Sequence, residues 1–362
     1  MSEWKEYRLG DIATFSYGSL PKKQLLGKGE YITYSGYKSL ESSPEYNCEE
    51  GDVILVARGV GGTGDVKLAS QKCYLTNLSI RISLDNDIIH NKYFYYIYQI
   101  ENLRYLDSGS AQSQITIKDL SNVIIEVPSV ENQKNVVAVL NSLDDKIDLL
   151  RRENATLEAM AETLFRQWFV VEAKEEWEEG KLGDICDYVT DKIDVTNINQ
   201  DTYVSTENMC SNKQGIVMSS SKPQNIKVTK YLVNDVLLSN IRPYFKKIWL
   251  SDMNGGCSND VLCIRSKKDE FKYFTYYNIR QDEFFDYVML GSKGCKMPRG
   301  DKSHIMNWPI WIPSNKVLNN FNNIVTGGIK KIKNNNTQIQ TLTQTRDGLL
   351  PKLMSNEVRI TI

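Results

Sequence analysis

Residues 131–171 contain no glycine and no proline, and apolar side chains recur along them in alternating steps of four and three. The series is Val136, Leu140, Leu143, Ile147, Leu150, Leu157, Ala161, Leu164 and Trp168, with one polar interruption at Asn154. This is the spacing of a coiled-coil seam, kept up for more than four heptads. A helix from Val136 to Trp168 would be roughly 50 Å long. So narrow a stripe calls for a second helix to cover it. The other reading, a core helix of a globular domain, would call for a wider apolar face. A second seam lies near the C-terminus, at Val325, Ile329, Ile332, Ile339 and Leu342, and it is interrupted at Asn336. Ile147 and Ile329, Leu150 and Ile332, Asn154 and Asn336, and Leu157 and Ile339 are each 182 residues apart. The helix is therefore one half of an internal duplication. Paired antiparallel, the two helices would bring Asn154 and Asn336 together near their middles.

The duplication extends to the rest of the chain. Trp4 and Leu9-Gly10-Asp11-Ile12 are answered 173 residues later by Trp177 and Leu182-Gly183-Asp184-Ile185. Gly51-Asp52-Val53-Ile54-Leu55 is answered by Asn234-Asp235-Val236-Leu237-Leu238, Lys92-Tyr93-Phe94 by Lys272-Tyr273-Phe274, and Gly109-Ser110 by Gly291-Ser292. Val127-Pro128-Ser129 and Ile312-Pro313-Ser314 close the two halves ahead of their helices. The expected fold class is α+β. Two similar mixed α/β domains, 1–130 and 173–315, would be separated by two long antiparallel coiled-coil helices in a pseudo-twofold repeat. The helices would occupy 131–172 and, with the tail, 316–362. In the first copy, strands are expected at 31–34, 53–57, 78–82 and 123–127. Aromatic-rich helices are expected at 91–106 and 270–290. Their tyrosines and phenylalanines could stack on bases, but at helical spacing such residues more often form a core.

Composition bounds what the chain can do. Forty-four basic and 45 acidic residues leave a net charge of −1, so there is no basic body to hold nucleic acid. An anionic ligand would have to be held by local clusters. Seven cysteines without a C-x-x-C pair and only two histidines, His90 and His304, argue against a zinc site or a disulfide framework. No apolar run is long enough to span a membrane and the N-terminus has no signal-peptide core, so a cytoplasmic protein is expected.

The enzymatic motifs are weak. Gly59, Gly61 and Gly64 fit G-x-G-x-x-G after a strand, but the residues that follow read as strand and turn, and the second copy has no glycines there. A glycine-rich hairpin is the better account than a dinucleotide cradle. The E-x-K triplets Glu270-Phe271-Lys272 and Glu172-Ala173-Lys174 lack the preceding Pro-Asp of a nuclease. Neither a Walker phosphate loop nor an amino-methyltransferase tetrapeptide is present. What remains is polar and basic loops. In the first copy they carry Arg58, Ser110, Gln112, Gln114 and Lys118. In the second they carry Arg242, Tyr244, Lys246, Lys247, Lys293, Lys296 and Arg299. Glutamine can pair with adenine and arginine or lysine with guanine, and the same groups also hold phosphates. A lone Gly-Ser loop with such residues is usually a solvated turn. Two loops at the same place in both copies, differing in polar content, fit the reading of two different targets.

In this layout the chain resembles the DNA-specificity subunit of type I restriction–modification enzymes. The residues that carry the resemblance are Trp4 with Leu9-Gly10-Asp11-Ile12, Gly51-Asp52-Val53-Ile54-Leu55 with Arg58, and Gly109-Ser110 with Gln112. They continue with Val127-Pro128 and Glu131-Asn132-Gln133 leading into the long helix, its end Leu164-Phe165-Arg166-Gln167-Trp168-Phe169, and the tail Arg346-Asp347-Gly348-Leu349-Leu350-Pro351-Lys352-Leu353. The second copy departs from the pattern, with Lys293-Gly294-Cys295-Lys296 in place of the glutamine-rich loop. The resemblance implies a non-catalytic subunit whose two target-recognition domains each read one half of a split sequence in double-stranded DNA. It also implies helices that space those domains and dock two methyltransferase subunits, with restriction subunits joining the complex. S-adenosylmethionine, ATP and Mg²⁺ would then belong to the partner subunits, and no metal site is expected here. Two alternatives remain at this point: a duplicated scaffold that binds only protein, and an enzyme with an unrecognised nuclease or methyltransferase motif.

Overall fold

A computed structural model describes residues 4–36, 38–59, 62–107, 113–174, 176–219, 226–294, 296–355 and 357. The chain divides into two compact units. One comprises Met1–Leu149 with Gln338–Ile362, the other Leu150–Thr337. Both long helices, Val130–Arg166 and Asn315–Met354, therefore contribute one segment to each unit.

In the first unit, Lys5–Arg8 pairs antiparallel with Ile124–Val127, which ties the start of the chain to the residues ahead of the long helix. The body is a four-stranded antiparallel sheet in the order Ala13–Tyr17, Ser79–Leu84, Val53–Val56, Val66–Leu68. Val53-Ile54-Leu55-Val56 is buried at every position, as a short unbroken apolar run between turn residues implies. A smaller sheet holds Lys38–Ser43, Tyr31–Ser35 and Cys73–Leu75, the last two parallel. Val53–Val56 pairs antiparallel with Val66–Leu68, with Val53 opposite Leu68, so the strands on either side of the glycine-rich segment form a hairpin; Gly61 lies outside the described residues. Gly64 has φ +96°, and a Cβ there would lie 2.4 Å from the amide nitrogen of Arg104. Only glycine fits so close an approach.

The aromatic helix of this unit runs over Asn91–Ile100 and ends sooner than the expected 106. Asn102 then caps a separate 3₁₀ turn, Leu103–Leu106, by accepting from the Arg104 amide. Tyr93, Phe94, Tyr96 and Tyr98 are buried, which assigns these rings to the core. The helix also grips the long helix: Tyr96 donates to Asp144 at 2.6 Å, and Asp144 pairs with Arg346 at 2.8 Å. At the base of the long helix Gln133 is fully buried, donating to the carbonyls of Ile88 and Pro128 and accepting from the His90 amide.

The second unit repeats this order of elements. Glu178–Lys181 pairs with Pro309–Ile312, and a four-stranded sheet runs Cys186–Tyr188, Val261–Ser266, Val236–Ser239, Ile248–Leu250. In place of one helix over 270–290 there are two, Lys272–Arg280 and Asp282–Leu290, because Gln281 is extended at ψ 147°. Asp282 and Glu283 suit the N-terminus of a new helix.

Within this unit the segments of the two long helices run antiparallel. Asn154 donates to Asn336 at 2.8 Å, as the duplicated seam predicts. The more buried neighbour is Asn335, fully enclosed, which donates to Glu153 and Asn154 at 2.8 Å each. The expected seam also shifts. At Leu164 and Trp168 the side chains are only partly buried, and Phe165 and Phe169 are the buried pair. Here the helix must cover a domain core as well as a helix. Phe165 and Phe169 lie 4.9–6.0 Å from the rings of Phe274 and Phe321.

One ionic cluster pins the body of this unit to its helix. Arg280 is buried and reaches Glu162 at 2.5 Å, Glu158 at 3.5 Å, the Tyr276 hydroxyl at 3.0 Å and the Lys213 carbonyl at 3.0 Å. Burial pushes the Glu158 carboxyl above its ordinary range, while Arg280 pulls it down. A carboxyl raised in the folded state favours folding below its unfolded value and loses that contribution as pH rises through the folded one. Removing Arg280 would raise the folded value further. Arg280→Met should therefore destabilise the protein by about 3–5 kcal/mol near neutrality. The loss should be larger at about pH 8 than at about pH 5, read from urea unfolding midpoints at the two pH values.

Candidate nucleic-acid interface

In the first unit, Arg58 follows the buried central strand and forms an isolated antiparallel bridge with Gln114. The amide of Ile115 donates to the Ala57 carbonyl at 2.9 Å, so the segment ahead of helix Ile117–Ser121 lies along the loop that leaves the sheet. Asp107 fixes that segment, accepting from the Gln114 amide at 2.8 Å and from the Ser113 hydroxyl at 2.5 Å. A capping box between Thr116 and Asp119 then starts the helix, with Lys118 exposed in its first turn. Arg58 Nε is buried without a hydrogen-bond partner among the described residues. Ser110 and Gln112 lie outside the described residues.

The second unit brings the same two segments together. Ile241 bridges Arg299, and the Arg242 amide donates to the Pro298 carbonyl at 2.8 Å. All of the candidates in this unit lie on these two loops. Many of their charges are satisfied internally. Lys246 pairs with Asp282 at 2.9 Å, Lys293 with Asp301 at 2.9 Å, and Arg299 with Asp260 at 3.1 Å. Lys247 donates to the Thr206 carbonyl at 2.6 Å. Lys246 and Lys293 hold the Asp282 and Asp301 carboxyls below their ordinary range, the latter to about 2. Lys296 and Arg299 are exposed, as is Tyr244.

Arg242 and Lys246 both have φ +51°, in the left-handed region that non-glycine residues rarely adopt. Each such residue costs about 1–3 kcal/mol and persists where the surroundings dictate it. The partners that impose this geometry, Lys213 and Asp282, carry no signal in the sequence: one lies in an ordinary turn and the other at a helix start. Asp107 is equally silent. Phe245, beside Tyr244, is one more aromatic in an aromatic-rich chain until the structure shows it on the surface.

Among the described residues no group of three or more His, Cys, Asp or Glu side chains is placed to hold a metal ion. No described helix is long and apolar enough to cross a membrane.

Comparison with known proteins finds a similarity that begins in the first part of the chain. Residues 1–159 match the model of the type I restriction modification DNA specificity domain. Similarity to specificity subunits extends beyond that segment. The chain is 26% identical to the type I restriction enzyme MjaIX specificity subunit of Methanocaldococcus jannaschii over 413 aligned positions, covering 99% of this chain and 94% of that one. It is 29% identical to the type I restriction enzyme HindI specificity subunit of Haemophilus influenzae over 195 positions, 47% of this chain and 41% of that one. The crystal structure of a type I restriction–modification S subunit from M. genitalium has the same fold, with a TM-score of 0.59 at 15% identity, covering 97% of this chain and 96% of that one. These relatives are named as specificity subunits.

In the first unit Asp107 holds the segment that bridges to Arg58. Asp107→Ala should therefore leave the fold intact and speed amide hydrogen exchange at Gln114 and Ile115, with the amides of Val53–Val56 unchanged.

Proposed function

We propose that the chain is the DNA-recognition subunit of a type I restriction–modification complex. Two target-recognition domains each read one half of a bipartite duplex sequence. The long helices form a pseudo-twofold antiparallel coiled coil that sets the separation of the half-sites and docks two methyltransferase subunits, with restriction subunits joining the assembly in the cytoplasm. S-adenosylmethionine, ATP and Mg²⁺ act on those partner subunits, and this chain contributes no catalytic group. The observation that carries the reading is the pair of equivalent bridges, Arg58 to Gln114 and Ile241 to Arg299. In each unit they join the loop after the buried strand to the loop ahead of a short helix, and the two loops display different polar side chains in the two units.

The test is to map methylated sequences in cells that express the chain with its methyltransferase subunit. A split motif is expected. Gln114→Ala should alter one half-site only. Lys118→Glu should weaken binding to all sequences and lower the salt slope by about one. A methylated motif without two separated halves would refute the proposal.

The helices as a ruler give a second test. Inserting seven residues within 143–157, matched by seven within 325–339, keeps the seam in phase. It should keep both half-site sequences and lengthen the gap by about two to three base pairs, from a rise of about 1.5 Å per residue. Altered half-site bases with an unchanged gap would show that the helices do not set it.

A further inference from the structure

Five non-glycine residues have positive φ among the described residues, and four of them meet at one place: Asn212, Lys213, Arg242 and Lys246. Arg242 and Lys246 flank a single 3₁₀ turn, Pro243–Phe245. That turn is held from several sides. The amides of Asn212 and Lys213 donate to the carbonyls of Phe245 and Lys246 at 2.8 and 2.9 Å. Asp282 takes both Lys246 and Lys213 at 2.9 Å, and Lys213 also lies 3.8 Å from Glu162 on the long helix. Arg280, paired to Glu162, closes the chain of contacts on the Lys213 carbonyl. The product of this bracing is an apolar tip. Tyr244 is 47% and Phe245 37% exposed, with ring centroids 4.7 Å apart. Exposed Met297 lies on the adjoining loop, which also carries exposed Lys296 and Arg299.

Strained backbone held by a polar lock, and displaying aromatic rings to solvent, is the arrangement of a ligand clamp and not of a core. An apolar tip beside exposed Lys296, with Arg299 held by Asp260, suits a groove of duplex DNA, where phosphates flank thymine methyl groups and sugar edges. We propose that Tyr244 and Phe245 make apolar contacts that determine the half-site read by the second unit, and that Lys213 and Asp282 are positioning residues for that turn. On this view Lys246, whose charge Asp282 neutralises, braces the turn and does not hold a phosphate. The inference rests on the DNA-reading function proposed above and adds the residues and the kind of contact.

The experiment uses the chain assembled with its methyltransferase subunits, duplexes bearing the mapped motif, and motifs permuted in each half. The second unit's half-site is the one that Gln114→Ala leaves intact. Phe245→Ala and Tyr244→Ser should each weaken binding of the mapped duplex about ten-fold, and relax base preference in that half-site only. The slope of affinity against salt should stay at the wild-type value, which loss of a phosphate contact would not allow. Asp282→Asn should relax the same half-site, and Asp282→Glu should restore it. Wild-type affinity and preference in both aromatic variants would overturn the proposal, as would relaxation of the other half-site. A wild-type complex with no sequence preference at all would overturn the DNA-reading function itself, and this inference with it.

Discussion

A polar layer inside an apolar seam fixes how the helix segments of the second unit meet. Asn154, Asn335 and Asn336 bond to one another across the pair, and Glu153 completes the set. Sliding one helix by a turn would strip the buried Asn335 amide of its partners, at about 1–3 kcal/mol. The apolar side chains around the layer supply attraction but no register. The asparagines supply register at some expense in stability. Asn154 and Asn336 are also the same position of the internal repeat. In an antiparallel pair of duplicated helices only one layer brings equivalent residues face to face, and this is where the polar residues stand.

The position of each unit's body follows from its own helix segments. In the first unit, Gln133 is locked to the carbonyls that flank the helix start, and Tyr96 reaches Asp144. In the second, Arg280 does the corresponding work from a buried site between Glu158 and Glu162. The two solutions differ in chemistry. A neutral amide network tolerates burial at little electrostatic expense, whereas a buried ion cluster gains directional strength only while every charge has its partner. The same cluster continues through Lys213 and Asp282 to the turn at Tyr244 and Phe245, so helix packing and loop geometry in that unit are parts of one network.

Much of this was legible from spacing alone. The long helices, the strand Val53–Val56, the glycine-rich hairpin and the Asn154–Asn336 contact follow from periodicity and from the offset between copies, because backbone geometry turns those patterns directly into position. The breaks after Ile100 and at Gln281 do not follow, since both interrupt runs of good helix formers and tertiary packing decides them. Nor does the shift of burial from Leu164 and Trp168 to Phe165 and Phe169, which depends on a second body packing against the helix. At the candidate interface the sequence names candidate loops but not what their side chains pair with. Lys246, Lys247 and Lys293 look like free cations in one dimension, and each finds a partner in three.

That internal pairing bears on how a chain with a net charge of −1 could hold a polyanion. Where lysines are already matched by Asp282 and Asp301, the release of counterions that drives general attraction to DNA is reduced. Affinity that does not come from charge must come from shape, hydrogen bonds and apolar contact, and those terms discriminate between sequences far better than charge does. Discrimination of that kind needs a surface that does not adapt to a mismatch, and a turn flanked by left-handed residues and braced from several sides, as at Arg242 and Lys246, would meet that need.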